Sequence, residues 1–302
     1  CPNLKFVCAD DSQLANVQTA LNTAGLTTVV ANSYCFFTPG GNYNTITGNI
    51  RLDQNGNGCD AGDIAAQNIR INLVSTPLSG ATFGDANGSY TFYTGVGNHT
   101  LTPQLEHPEY FNVTPPSATA NFLALDHSTV VRNFCLTANG THPDMEIILL
   151  PLTNARPGFD AHYQLVFKNK GNQVLSGQVS VEFEGDKMNF VSASTATASQ
   201  TPNLLVWNYS NLLPFGVTAI DFILAVHEPV DVPPVNEGDV LHFNAAMNAV
   251  VGDSTPYDNH FVLDQTVVNS LDPNNKTCLE GDFVTPEKIG QYLHYNINFE
   301  NI

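Results

Sequence analysis

Basic side chains are scarce in this 302-residue chain: 10 lysines and arginines stand against 28 aspartates and glutamates, a formal net charge of −18 at pH 7. A surface this acidic repels phosphate backbones and anionic lipid, which excludes nucleic-acid binding as a main role. It also concentrates divalent cations. Long apolar runs are missing too. None approaches the ~18 residues of a spanning helix, so no membrane insertion is expected. The six cysteines contain no CxxC pair, which argues against a zinc knuckle or a thioredoxin-type site. No GxSxG elbow, HExxH helix, P-loop or dinucleotide fingerprint occurs, and the histidines are scattered. His107, His127 and His142 lie near acids but read as surface groups. The expectation is a protein that is not an enzyme.

What is present is β-forming material. A hydrophobic content of 42% is enough to build real cores. Many Thr, Asn and Gly with few Lys are the composition of an exported β-protein. Dispersed cysteines suit disulfides in an oxidising compartment, so the expected location is extracellular or at the cell surface. These residues hold no signal-peptide pattern, and the chain is expected to be a segment of a longer exported one.

Residues 1–43 form the first unit. "LKFVCA" reads as a strand, Asp10 or Asp11 can cap a helix, and Leu14, Val17 and Leu21 recur at helical spacing up to Gly25. "TTVVAN" is a second strand. Strand, helix, strand implies a parallel pair whose C-terminal ends lie side by side, which favours a Cys8–Cys35 disulfide. Residues 44–140 carry short strands with turn signals between them: "TITGNIRL", "NIRINLV", "GSYTFYT", "NHTLTPQL", "YFNVT", "ATANFLA" and "TVVRNFCL". They predict an antiparallel sandwich, with Asn87-Gly88 supplying positive φ angles in one turn. Residues 141–270 predict a second sandwich. There Val179, Val181 and Phe183 alternate with Ser180, Glu182 and Glu184, and Trp207 is the expected core anchor. Tyr90, Phe92, Tyr93, Tyr110 and Phe111 read as core rather than as a sugar-stacking platform. "HYQLVFKN" at 162–169 returns as "HYNINFEN" at 294–301, so residues 271–302 read as the start of a further Ig-like repeat.

"DQNGNGCDAGD", Asp53 to Asp63, carries the only chemistry in view. Asp53, Asn55 and Asn57 alternate, Gly58 follows, and the Cys59 carbonyl, Asp60 and Asp63 supply further oxygens. Calcium takes six to eight hard oxygen ligands at flexible geometry, and a loop with side-chain oxygens at positions 1, 3 and 5, glycine at 6, a backbone carbonyl at 7 and acids further on provides them. The closing acids arrive one residue early for the usual spacing, which leaves open which of Asp60 and Asp63 binds bidentately. The competing reading is a solvated polar turn. Cys59 inside the loop and Cys135 in the last strand of the same unit are expected to pair, closing a long chain loop.

Several of these stretches resemble known families. "CPNLKFVCADDSQLANVQTALNTAG" followed by "NSYCFFTPGGNY" resembles the C-terminal cap of leucine-rich-repeat regions in large secreted Bacteroidota proteins. The loop at 53–63 and "NGSYTF" resemble SdrD-B-like or Cna-B-like modules of bacterial surface proteins. "LDPNNKTCLEG" resembles the junction between tandem Ig-like, DUF11-like domains of type 9-secreted proteins. Together they imply a mainly β fold: tandem antiparallel β-sandwiches, Ig-like or prealbumin-like, behind a short α/β leucine-rich-repeat cap. The implied function is a non-enzymatic stalk or adhesin segment stiffened by structural calcium and disulfides. Its partners would be other cell-surface proteins, neighbouring repeat domains or glycans, with fibre-type self-association open to it. The alternative is an accessory carbohydrate-binding region of a secreted glycan-degrading enzyme.

Overall fold

The computed structural model describes residues 4, 6–9, 13–32, 42–75, 79–248 and 250–268, with two further strands traced at Lys276–Cys278 and Tyr295–Ile297. At the start, β1 (Phe6–Cys8) and β2 (Val30–Asn32) pair in parallel across helix α1 (Leu14–Thr23). Gly25 ends the helix in a left-handed conformation, φ 75°, as a glycine just past a helix terminus does. No residue of α1 is fully buried. Asp10 and Asp11, the expected caps, lie outside the described residues.

The first sandwich comprises β3 (Asn44–Asp53), β4 (Ile64–Ala65), β5 (Arg70–Ser75), β6 (Ser79–Phe83), β7 (Ser89–Thr94), β8 (Gly97–Gln104), β9 (Phe111–Thr114), β10 (Ala118–Phe122), β11 (Thr129–Val131) and β12 (Phe134–Ala138). One sheet runs β10-β8-β5-β6; the other runs β11-β3-β12-β9, with β4 and β7 also on β3. Alternation along β3 buries Ile46, Ile50 and Leu52 against Ile71, Leu101, Phe134 and Leu136.

This sheet is not purely antiparallel. "TVVRNFCL" splits into β11 and β12, and both lie parallel to β3. The break has a local cause. At Gly48 the Arg132 carbonyl presses against the position a Cβ would occupy, so only glycine permits the approach. Arg132 N–H donates to Thr47 O (2.8 Å), and Asn49 N–H donates to Asn133 Oδ1 (2.9 Å). In the "NGS" turn the left-handed residue is Gly88 alone (φ 70°); Asn87 does not share it.

The second sandwich comprises β13 (Met145–Pro151), β14 (Asp160–Asn169), β15 (Leu175–Phe183), β16 (Met188–Ala193), β17 (Ser199–Thr201), β18 (Leu204–Leu212), β19 (Val217–Val226), β20 (Val240–Met247) and β21 (His260–Thr266). Its sheets run β13-β14-β19-β16 and β17-β18-β15-β20-β21, all antiparallel. Trp207 is fully buried, with Nε1–H on Thr195 O (3.0 Å) and its ring against Phe222. Val179, Val181 and Phe183 face the same core. The traced strands β22 (Lys276–Cys278) and β23 (Tyr295–Ile297) pair antiparallel. Among the described residues no helix is long and apolar enough to cross a membrane.

The sandwiches meet through a shared joint. Phe215, in the turn between β18 and β19, is 6% exposed and belongs to the core of the first sandwich. Its ring stacks on Phe111 at 5.1 Å, and its carbonyl accepts from Gln67 Nε2 (2.8 Å). From the β14–β15 turn, Asn172 Nδ2 donates to Tyr110 O (2.9 Å), and Asn172 Oδ1 accepts from His142 N–H (2.9 Å).

Candidate functional site

The loop after β3 is organised around one carboxylate. Asp53, 9% exposed, accepts from the amides of Asn55 (3.1 Å) and Gly56 (2.7 Å) on Oδ1 and from Gly58 (2.9 Å) on Oδ2. These amides, Gly58 foremost, hold the Asp53 carboxyl below its ordinary value against the opposing effect of burial. Gly56 and Gly58 adopt left-handed φ of 74° and 92°, which lets the chain wrap around the side chain. Further on, Asn57 N–H donates to Asn55 Oδ1 (3.0 Å), Asp60 N–H to Asp63 Oδ2 (2.7 Å) and Gly62 N–H to Asp60 Oδ1 (2.7 Å). Arg51 Nη1 donates to Asp63 O (2.8 Å). Cys59 is bonded to Cys135 of β12, Cα–Cα 5.4 Å, so the loop is tied to the sheet it leaves. Asp53, Asp60 and Asp63 each accept from backbone amides of the loop itself.

At the N-terminal unit, Cys8 is itself disulfide-bonded. Its expected partner, Cys35, lies outside the described residues.

A second acidic group sits at the joint, and sequence reasoning missed it. Asp144, Asp253 and Asp258 bring one oxygen each within 4.8 Å of one another, a grouping that could hold a metal ion. A cation of the chain already stands there. Lys170 Nζ bonds Asp258 Oδ2 (2.6 Å) and lies 3.7 Å from Glu106 Oε1. Burial works against the Lys170 charge, but the Asp258 hydrogen bond and charge, reinforced by Asp144 and Glu146, outweigh it and hold the ammonium above its ordinary pKa. Asp144 is fully buried, accepting from Tyr110 OH on Oδ2 (2.9 Å) and from Thr255 Oγ1 on Oδ1 (2.5 Å). Asp253 accepts from Met145 N–H (3.2 Å) and Thr255 N–H (2.8 Å). The group thus staples β13 and the β20–β21 connection to the end of the first sandwich.

Two of the three histidines read as surface groups prove to be joint residues. His107 and His142 stack on opposite sides of Tyr110, with centroids 4.6 and 4.4 Å from it. His107 Nδ1 contacts Glu109 (3.1 Å), while His127 is exposed. Burial pushes the Tyr110 hydroxyl up to about 12, Asp144 and Glu109 adding to the effect and Ser254 opposing it, so Tyr110 remains a donor to Asp144 at any physiological pH. Tyr90 and Phe111 are core residues at 2% and 5% exposure, and Phe92 packs at its edge. The available signal for the joint was the pair of lysines in "KNKGN", in a chain that uses so few.

Residues 272–302 match the family described as "Domain of unknown function (DUF7619)". No curated protein matches by sequence. Among solved structures, the chain is similar to the major pilin subunit BcpA of Bacillus cereus, at 8% identity and a TM-score of 0.30 over 86% of this chain and 83% of that one. It is also similar to a CARDB domain from Pyrococcus furiosus in complex with di-metal ions, at 18% identity and a TM-score of 0.30 over 43% of this chain and 98% of that one. A DUF3823 family protein from Parabacteroides merdae matches at 11% identity and a TM-score of 0.26, over 75% and 99%. Matches this distant assign no activity, ligand or partner.

Proposed function

We propose that this chain is a non-enzymatic stalk or adhesin segment of an exported, cell-surface bacterial protein. In this reading residues 1–43 close a leucine-rich-repeat array, 44–140 and 141–270 are the rigid body, and 271–302 open the next Ig-like repeat. The observation that carries it is the joint. Phe215 of the second sandwich is a core residue of the first, and Asn172, Tyr110 and Lys170 bond across the boundary. Such a contact serves to hold two modules at one angle, which a spacer requires and a hinge would lack.

Calcium is the proposed structural cofactor, at Asp53, Asn55, Asn57, the Cys59 carbonyl, Asp60 and Asp63. The donor set is all hard oxygen, which suits calcium and disfavours zinc or copper. Asp53 is held ionised by its amide contacts. When bound, the ion would supply charge neutralisation to the loop and take no part in chemistry. Self-association into fibres, and binding of surface proteins or glycans, are the proposed partnerships.

The test is backbone relaxation and thermal melting of the whole chain, with millimolar calcium and with chelator. A stalk gives one rotational correlation time for both sandwiches, and chelation lowers the melting temperature of the first because a ligand selective for the native state stabilises it by mass action. Two independent correlation times would overturn the stalk reading. Identical melts in calcium and chelator would remove the metal from it.

A further inference from the structure

Asparagine precedes glycine at four places in the chain: Asn55–Gly56, Asn57–Gly58, Asn87–Gly88 and Asn139–Gly140. Such a step can react with itself. The glycine nitrogen, relieved of its proton, attacks the asparagine Cγ, the C–N bond of the side-chain amide breaks, and ammonia leaves. Water then opens the cyclic imide at either carbonyl, giving aspartate or isoaspartate. Glycine crowds its own nitrogen least, because it carries no Cβ. A glycine amide that is already hydrogen-bonded is held back, since that bond must break before attack. A carboxylate as the acceptor holds it back further, because an anion disfavours the negative charge that builds as the proton leaves.

The fold treats the four steps differently. Gly56 N–H donates to Asp53 Oδ1 (2.7 Å) and Gly58 N–H to Asp53 Oδ2 (2.9 Å), so one carboxylate holds both glycine amides of the exposed loop. Gly88 is buried, and its N–H closes a turn on Asp85 O (2.9 Å). The Ile50 carbonyl stands where a Cβ of Gly88 would lie, so the step is also confined. Gly140 is the exception. It is exposed, at φ 78°, and among the described residues its N–H has no hydrogen-bond acceptor. Asn139 is exposed too, and its side chain is tied by a neutral bond from Nδ2 to Glu109 O (2.8 Å).

This fourth step lies where the chain crosses between the sandwiches. Asn139 directly follows β12, and its N–H donates to Tyr110 O (2.8 Å). Asn172 of the second sandwich reaches both Tyr110 O (2.9 Å) and Gly140 O (3.2 Å). Aspartate at position 139 would replace the donor to Glu109 O by a carboxylate, which a carbonyl oxygen repels. Isoaspartate would add a methylene to the main chain between these contacts. We infer that Asn139 is a site of spontaneous deamidation that loosens the joint as the protein ages, and that Asp53 protects Asn55 and Asn57 from the same reaction. This goes beyond the stalk reading and does not depend on it, since the chemistry needs only an exposed step with an unbound glycine amide.

The experiment ages the full chain in chelator, at mildly alkaline pH and in heavy-oxygen water, and maps its peptides by mass spectrometry. Incorporated heavy oxygen marks conversion that precedes digestion. Asn139 should convert at least about tenfold faster than Asn55, Asn57 and Asn87, the factor expected when a hydrogen bond must first break at the slower sites. In denaturant, where no amide is held, the four rates should draw together. Asp53→Ala should speed Asn55 and Asn57 and leave Asn139 unchanged. The converted chain, separated by its added charge, should show shifted amide signals at Tyr110 and Asn172. Equal rates at the four sites of the folded chain, the same advantage of Asn139 in denaturant, or unchanged rates at Asn55 and Asn57 in Asp53→Ala would each overturn the inference. Unshifted signals at Tyr110 and Asn172 would overturn its consequence for the joint. The comparison of folded and denatured wild type needs no variant to fold.

Discussion

Replacing Phe215 by alanine tests the joint most directly. Burying a phenylalanine side chain contributes about 1.5–3 kcal/mol, and a stacked aromatic pair such as Phe111–Phe215, 5.1 Å apart, adds roughly 0.5–1.5 kcal/mol. Because the ring completes the first sandwich from outside, about 3 kcal/mol of that sandwich's stability should depend on its neighbour. A domain of this size shifts by about 4–8 °C per kcal/mol, so its melting should fall by roughly 12–24 °C and separate from that of the second sandwich. The backbone sharpens the test. Phe215 sits at φ 65°, a region that costs an L-residue roughly 1–2 kcal/mol relative to glycine. Phe215→Gly should therefore leave the second sandwich about 1 kcal/mol more stable than Phe215→Ala while uncoupling the first equally. Calorimetry with domain-resolved amide signals reads both effects. A first sandwich that melts within about 2 °C of wild type in Phe215→Ala would refute the coupling.

Three further outcomes are expected. Replacing Cys59 and Cys135 together by alanine frees a 76-residue separation, and the chain-entropy estimate puts the loss at up to about 4.5 kcal/mol, readable in denaturant melts of the first sandwich. Lys170→Met leaves Asp258 and Asp144 without their nearest counter-charge and should cost on the order of 3 kcal/mol. Because the Lys170 pKa is raised in the folded state, that difference should be fully present below about pH 10 and fade only as pH rises through the raised value. Asp53 has the opposite sign: its pKa is depressed, so its contribution holds above about pH 4 and fades as pH falls through the depressed value. Acid titration of Asp53→Asn should show a flatter limb than wild type, and an unchanged limb would count against the amide-bound carboxylate.

The β-strands with one buried face were legible because side chains alternate with period two, so Val179, Val181 and Phe183 announced their core face locally. Strands β6, β16 and β21 were not. β6, "SGATF", has little β-branched material, β16 shifts register against β19, and β21 buries the polar Gln265, which accepts from Tyr163 OH (2.7 Å), while Val262 is 69% exposed. The split of β11 from β12 hinged on a steric fact at Gly48, more than eighty residues upstream in the chain. Asp53 was conspicuous because its partners lie within five positions of it. Asp144, by contrast, meets Thr255 across 111 positions, and only the closing of the second sandwich brings them together. "KNKGN" reads locally as a turn; that it grips another module is information held by Tyr110 and Glu106, which its own composition cannot reveal.

The parallel pairing of β3 with β12 has a mechanical meaning. The chain enters the first sandwich at Asn44 and leaves it at Ala138, and the strands at these two ends are neighbours running in the same direction. Tension applied along the chain therefore pulls them past each other, loading their hydrogen bonds together in shear instead of peeling them one by one. The covalent route under that tension is shorter still: along β3 to Cys59, across to Cys135, and out through β12. Everything between the two cysteines lies off the load path. Even a sandwich torn open could lengthen only by the few residues outside the bridge, so its length under load would be set by one sulfur–sulfur bond and two strands.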